Sequence, residues 1–125
     1  DPRTRKVRVF RLPASSGYAN LNTATFDRRG VLWFTGQGGL YGRLDPKVGR
    51  VRVFQAPGGE GPYGITTTTR GAVYFASLAG SYVGRIDVRT GKATVLWADV
   101  GYDVLCLEPS EEMAAIRNGG ASART

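Results

Sequence analysis

Two copies of one unit fill most of this chain. Gly30-Val31-Leu32-Trp33-Phe34-Thr35 returns as Gly71-Ala72-Val73-Tyr74-Phe75-Ala76, 41 residues on, and Gly42-Arg43-Leu44-Asp45 returns as Gly84-Arg85-Ile86-Asp87, 42 residues on. Arg50-Val51-Arg52-Val53-Phe54 is echoed earlier by Lys6-Val7-Arg8-Val9-Phe10 and later by Lys92-Ala93-Thr94-Val95-Leu96. A period of roughly forty residues built from short β runs marks a propeller blade or a related array. A blade buries its faces only against neighbouring blades. The repeat therefore constrains the local fold and, with it, what must lie beside each unit.

The sequence of 125 residues suits one small domain, and its 18 glycines and 6 prolines suit short strands joined by tight turns. No apolar run approaches the roughly 20 residues of a membrane span. The first residues lack the basic, apolar and cleavage-site succession of a signal peptide, and the compartment stays open between cytoplasm and export in a bacterium. Cys106 is the single cysteine; it has no intrachain partner and is expected as a small buried apolar group. The net charge is +7, from 17 basic and 10 acidic residues, and Arg3, Arg5, Lys6, Arg8 and Arg11 crowd the start. Arg8 alternates with Val7 and Val9, as on a strand with one wet face, and basic residues there deter edge-to-edge pairing. Nucleic-acid binding brings a basic groove with stacking aromatics, whereas these aromatics sit at strand centres. Neither a nucleic acid nor a membrane is expected as partner.

The pattern predicts strands at residues 19–26, 31–35, 40–44 and 50–54, with turns at 27–30 and 45–49, so that 19–54 is one blade. A Gly/Pro-rich connector follows, and strands at 63–69, 72–76, 82–86 and 92–96 make a second blade at 63–96. Asp1-Pro2-Arg3-Thr4-Arg5-Lys6-Val7 matches Asp45-Pro46-Lys47-Val48-Gly49-Arg50-Val51, so residues 1–18 read as the last strand of a preceding blade and its connector. Residues 97–125 break the repeat and read as an irregular tail, with a further first strand at 101–107. A short helix is expected at 110–117, capped by Ser110 and favoured by Glu111 and Glu112. The fold class is all-β: a β-propeller fragment of two four-stranded antiparallel blades, an orphan N-terminal strand and a C-terminal tail with a short helix.

One family carries this pattern. Leu32-Trp33-Phe34-Thr35 followed by Tyr41-Gly42-Arg43-Leu44-Asp45-Pro46 resembles the blade signature of the streptogramin B lyases, also called the virginiamycin B lyase family. Pro62-Tyr63-Gly64-Ile65 with Val83-Gly84-Arg85-Ile86-Asp87 repeats it. The resemblance covers roughly residues 1–96, about two to three blades. It implies a seven-bladed propeller that opens a cyclic depsipeptide at its ester by elimination, using Mg²⁺ held by histidines and glutamate at the central channel. A base removes the proton α to the carbonyl and the metal stabilises the enolate. This chain departs from that pattern, because it contains no histidine. Tyr63 stands where such blades carry the histidine of Pro-His-Gly. The Thr-Glu after the second strand is Thr35-Gly36 in one unit and Ala76-Ser77 in the next. Either these blades are not the catalytic ones, or the catalytic blades lie elsewhere, or the homologue is not a lyase.

In a propeller the first strand of each blade lines the channel. That singles out Tyr18, Asn20, Asn22 and Tyr63 as candidates to bind a small molecule at the channel face. Against this, the asparagines would bond backbone and the tyrosines pack on neighbouring blades, since channel polar groups need partners anyway; this bland reading is the favoured one. Trp33 and Tyr74 are expected in the core between blades, Asp45 and Asp87 in Asx-type turns, and Arg43 and Arg85 in a shared structural role. Gly36-Gln37-Gly38-Gly39 precedes no helix and is no dinucleotide fingerprint. Ser15 and Ser16 lack a histidine partner. No catalytic residue, metal ligand or cofactor is legible in the chain itself. Three functions compete: a lyase-like propeller inactive as this chain alone, a non-catalytic binding or scaffold propeller, and a lactonase-like metal hydrolase fragment. Self-association or further blades are expected to cover the two open faces.

Overall fold

A computed structural model describes residues 1–96. The expected strand at 101–107, the helix at 110–117, Cys106 and the tail as a whole lie outside the described residues. Eight strands follow in chain order: β1 (Leu21–Phe26), β2 (Leu32–Gly36), β3 (Leu40–Asp45), β4 (Arg50–Gln55), β5 (Pro62–Thr67), β6 (Val73–Ser77), β7 (Tyr82–Ile86) and β8 (Ala93–Leu96). They form two four-stranded antiparallel sheets, β1-β2-β3-β4 and β5-β6-β7-β8. These are two propeller blades, as the repeat requires. A 3-10 turn at Ala14–Ser16 is the only helical element among the described residues.

The turns are written into the chain by aspartate. Asp27 Oδ1 accepts the Arg29 and Val31 amides at 2.8 and 3.1 Å. Asp45 Oδ1 accepts the Lys47 amide at 3.0 Å, and Asp87 Oδ1 accepts the Arg89 amide at 2.8 Å. This is the Asx bonding expected of Asp45 and Asp87. Thr68 takes the place of Asp27 in the second blade, accepting the Ala72 amide at 3.1 Å.

The repeated glycine of Gly-Arg-Leu/Ile-Asp has a packing reason. Phe34 lies opposite Gly42, and Phe75 opposite Gly84. A Cβ on Gly42 would stand 2.4 Å from the Phe34 ring, and one on Gly84 would stand 2.3 Å from the Phe75 ring. Each phenyl ring thus lies flat across the space the missing side chain leaves. Phe75 cannot move aside. Its ring stacks on Tyr41 at 5.2 Å and meets the Tyr82 ring edge-on at 5.9 Å, while Tyr41 stacks in turn on Phe54 at 5.3 Å.

This ring row is the seam between the blades. Trp33, Tyr41, Val73, Phe75, Tyr82 and Ile86 form one buried cluster across it. The β7–β8 turn closes one end of the seam. Tyr41 Oη donates to the Gly91 carbonyl at 2.9 Å, and Arg29 and Arg43 both donate to the Val88 carbonyl, at 2.6 and 3.2 Å. Gly91 is required there, with φ at +86° and the Phe54 ring 2.2 Å from where a Cβ would be. Trp33 fills the seam, as expected of it. Tyr74 holds the equivalent place on the outer face of the second sheet, buried with Val83 and against Leu96. Among the described residues Arg43 and Arg85 differ in what they touch. Arg43 lies over Trp33 and bonds the neighbouring blade, whereas Arg85 is exposed.

The orphan strand expected at residues 6–10 does not form. This segment pairs with no strand among the described residues, and Val7 and Val9 are 87% and 76% exposed. A strand needs a ladder, and its motif carries only its own half of one. The segment instead crosses the first sheet: Arg8 Nη1 donates to the Pro46 carbonyl at 3.3 Å, and Leu12 packs beside Phe34 and Val51. An apolar groove of about 320 Å³ stays open there, lined by Phe10, Leu12, Leu21, Ala24, Leu32 and Leu44 among others.

Two outcomes follow from these contacts. Gly84→Ala forces a methyl against a ring that is fixed on both sides, and it should cost about 1–3 kcal/mol in urea unfolding. Asp27 supplies the second. Burial pushes its carboxyl up, but hydrogen bonds from the Trp33 indole, the Val31 and Arg29 amides and the Arg29 guanidinium together hold it below the usual carboxylate range. Asp87 is also held low, by the Arg89 and Thr90 amides. A depressed folded-state pKa gives stability that is full above the unfolded value of about 3.9 and is lost as pH falls through the folded value. Acid unfolding should therefore set in below about pH 4. Asp27→Asn should flatten that slope without abolishing it, because Asp87 remains. It should also cost about 1–3 kcal/mol at neutral pH, measured by urea titration across pH.

Candidate functional site

The first strand of each blade carries the same irregularity. Between the Leu21–Gly36 and Ala24–Phe34 pairs, Asn22 and Thr23 oppose the single residue Thr35. Between Pro62–Ser77 and Ile65–Phe75, Tyr63 and Gly64 oppose Ala76. A β-bulge of this kind re-aims side chains, and bulges gather at barrel rims and beside active sites. Asn22 and Tyr63 are thus equivalent residues, the first of each bulged pair.

The two bulges are tied together across the seam. Thr23 Oγ1 and Thr35 Oγ1 both donate to the Tyr63 carbonyl, and they lie 3.2 Å from each other. Further along, Thr25 Oγ1 and Thr67 Oγ1 are 3.3 Å apart. The first strands therefore run side by side, joined by hydroxyls rather than by apolar side chains. Gly64 and Ala76 replace Thr23 and Thr35 in the second blade, so it carries no copy of this hydroxyl set.

The loop after β2 gathers the remaining candidates. Asn20 sits at φ +47°, its carbonyl accepts the Gln37 amide at 2.9 Å, and its Nδ2 donates to Gln37 Oε1 at 3.1 Å. The Gln37 carbonyl accepts from Gly61 at 3.0 Å, which ties the loop to the chain entering the second blade. Tyr18 is 84% exposed beside this loop. A Cβ on Gly38 would stand 2.1 Å from its carbonyl, so only glycine lets the two chains pass.

All four sequence candidates therefore lie at one end of the blades, but in different settings. Tyr63 is half-buried and anchored by its carbonyl. Asn20 bonds another side chain rather than backbone, unlike the bland expectation. Asn22 is exposed along the apolar groove on the far face of the first sheet. Tyr18 is exposed and packs on neither of the two described blades. Thr23, Thr35 and Gln37 were missed. Their signal was present as polar residues breaking an apolar stretch, but a threonine in a strand reads as ordinary β propensity. Glu60, exposed in the connector, is the one carboxylate near this end among the described residues.

The opposite end has another chemistry. Arg29, Arg43, Arg50, Arg52 and Arg89 line a pocket of about 230 Å³ between the β1–β2, β3–β4 and β7–β8 turns. The strand sequence showed the arginines but not that two blades would bring them together. Among the described residues no three His, Cys, Asp or Glu side chains stand close enough to hold a metal ion. No described helix is long and apolar enough to cross a membrane.

No model of a known protein family matches the chain, and no curated protein sequence does. Solved structures do. Selenomethionine-substituted virginiamycin B lyase from Staphylococcus aureus is 27% identical with a TM-score of 0.60, over 70% of this chain and 30% of that one. A catalytically inactive histidine-to-alanine variant of the same lyase, with quinupristin, is 28% identical with a TM-score of 0.62, over 72% of this chain and 30% of that one. A streptogramin B lyase structure is 26% identical with a TM-score of 0.60, over 66% of this chain and 28% of that one. The chain spans about 30% of the length of these lyases. Its two blades are similar in fold to blades of the virginiamycin B lyase propeller.

Proposed function

We propose that this chain supplies two blades of a virginiamycin B lyase-like propeller, and that it does not by itself open a cyclic depsipeptide ester. What supports this is the chemistry gathered at the bulge end. Asn20, Asn22, Thr23, Thr35, Gln37 and Tyr63 donate and accept hydrogen bonds but offer no base that takes a carbon-bound proton near neutral pH. Among the described residues the nearest carboxylate, Glu60, is exposed in a connector. In the related lyase, replacing one histidine by alanine leaves a catalytically inactive protein; this chain has no histidine to take that part.

The Mg²⁺ that the resemblance implies does not fit the described residues. Mg²⁺ takes hard oxygen ligands in an octahedron and is held by carboxylates. Asp27, Asp45 and Asp87 hold turns at the far end, and the bulge end offers amides, hydroxyls and the single exposed carboxylate of Glu60, with no cluster of acidic side chains among the described residues. The part left to these two blades is to wall the channel and orient a small polar ligand against the bulges. The same polar, uncharged set also favours a second reading, a binding propeller without chemistry. A lactonase-like hydrolase would gather acidic and asparagine ligands on one metal, and the described residues offer no such group.

The comparison to make is ester opening of quinupristin by the pure chain, followed by mass spectrometry with Mg²⁺ present or chelated. No turnover is expected, and chelator-sensitive turnover would overturn the reading. If titration shows quinupristin bound but intact, the binding reading prevails. Asn20→Ala, Asn22→Ala and Tyr63→Ala should then each weaken binding by roughly 2–10-fold, the worth of a hydrogen bond or two. A second outcome concerns assembly. Two blades leave the groove beside Phe34 uncovered, and an apolar face of that kind recruits a partner. Sedimentation should show the chain self-associating. A monodisperse monomer that melts cooperatively would argue against blades that need neighbours.

A further inference from the structure

We infer that the arginine-lined pocket between the turns binds a compact, multiply charged oxyanion of the phosphate type. This goes beyond the channel reading and is independent of it. The pocket lies towards the turn end of the first blade, and the bulges lie towards the other end of the same strands.

Five arginines line one space, and the carboxylate among them, Asp45, accepts the Lys47 amide. Arg43 and Arg52 are direct cross-strand neighbours. Like charges set opposite each other on a sheet destabilise it. Among the described residues, Arg29 alone of the five is ion-paired, with Asp27 at 3.1 Å; Arg43, Arg50, Arg52 and Arg89 pair with no described carboxylate. A solvated basic face would spread such groups apart.

Here two of them are fixed close together. Arg43 is held 5.6 Å above the Trp33 ring centre and donates to the Val88 carbonyl at 3.2 Å. Arg29 donates to that same carbonyl at 2.6 Å and to Asp27 Oδ2 at 3.1 Å. The positive field is concentrated before any ligand arrives. Burial, followed by the charges of Arg52 and Arg29, holds Arg43 below the usual arginine range. An anion in the pocket relieves that repulsion.

The number of donors selects the anion. Each guanidinium presents a rigid fork that matches carboxylate or phosphate oxygens. A single carboxylate has too few oxygens for several forks, whereas a phosphate or diphosphate offers three or more around each phosphorus. A pocket of about 230 Å³ is smaller than the roughly 300–1,000 Å³ that holds a drug-sized ligand. It lacks exposed aromatic rings on which bases would stack, so a nucleic-acid strand is not the ligand.

The test is calorimetric titration of the full 125-residue chain with pyrophosphate, inorganic phosphate and citrate at one fixed ionic strength. Saturable binding is expected, with pyrophosphate tighter than phosphate. The exposed pair Arg50→Gln with Arg89→Gln should weaken pyrophosphate at least about tenfold, with the circular dichroism of the sheets unchanged. Arg5→Gln with Arg11→Gln removes the same charge from the N-terminal segment and should leave affinity within about twofold. Arg52→Gln alone should weaken binding about threefold or more, which keeps the test decisive if the double variant unfolds. Heats that never saturate, or equal losses from the pocket and N-terminal variants, would overturn the site. Citrate binding more tightly than pyrophosphate would overturn the phosphate class.

Discussion

The structure depends on one packing constraint, a phenyl ring laid across a glycine on the neighbouring strand. Phe75 occupies the space above Gly84, and Tyr41 and Tyr82 hold its ring in place. With the ring flat against its own sheet, the first blade can approach closely enough for Trp33 and Tyr41 to become buried. A side chain at residue 84 would lift the ring, and the aromatic row would lose its stacking. The same arrangement of Phe34 over Gly42 prepares the other face of the first blade for a neighbour. Blade shape and blade docking are therefore one property.

Around that apolar row the polar groups divide into two kinds. At the turn end the chain uses charge: aspartates fold the turns, Asp27 ties its turn to the Trp33 indole at 3.0 Å, and arginines reach across to Val88. At the bulge end it uses hydroxyls and amides, with Thr23 and Thr35 on the Tyr63 carbonyl and Asn20 on Gln37. The bulge frees the Tyr63 carbonyl from its own ladder, and threonines of the other blade take it up. A ligand at either end thus meets a different chemistry, neutral and directional at one and strongly positive at the other.

Much of the fold was legible because turn chemistry and strand periodicity are local. The Asp-to-Gly spacing at residues 27–30 and 45–49 marked the turns, and the strands came out within one or two residues at most ends. The segment at residues 6–10 shows the limit of that logic. Its resemblance to the fourth strand is real, yet strand identity is a property of a pair. The site was less legible. Asn20, Asn22 and Tyr63 were singled out by position along the chain, but what each touches follows from the bulges and from which blade lies opposite. Arg43 and Arg85 looked equivalent for the same reason, and only the facing β7–β8 turn makes Arg43 different.

The sequence by itself determined the repeat, the four-stranded units, their turns and the absence of histidine from the chain, because each is carried by residues near one another. It also carried the glycine that the ring requires, without showing the ring. Only the tertiary structure decided which face of each sheet meets the next. With that came the threonine pair on Tyr63 and the convergence of arginines from three separate turns. Those contacts join residues some 28 to 59 positions apart. Their partners are chosen by the docking of two blades, and no local pattern records that choice.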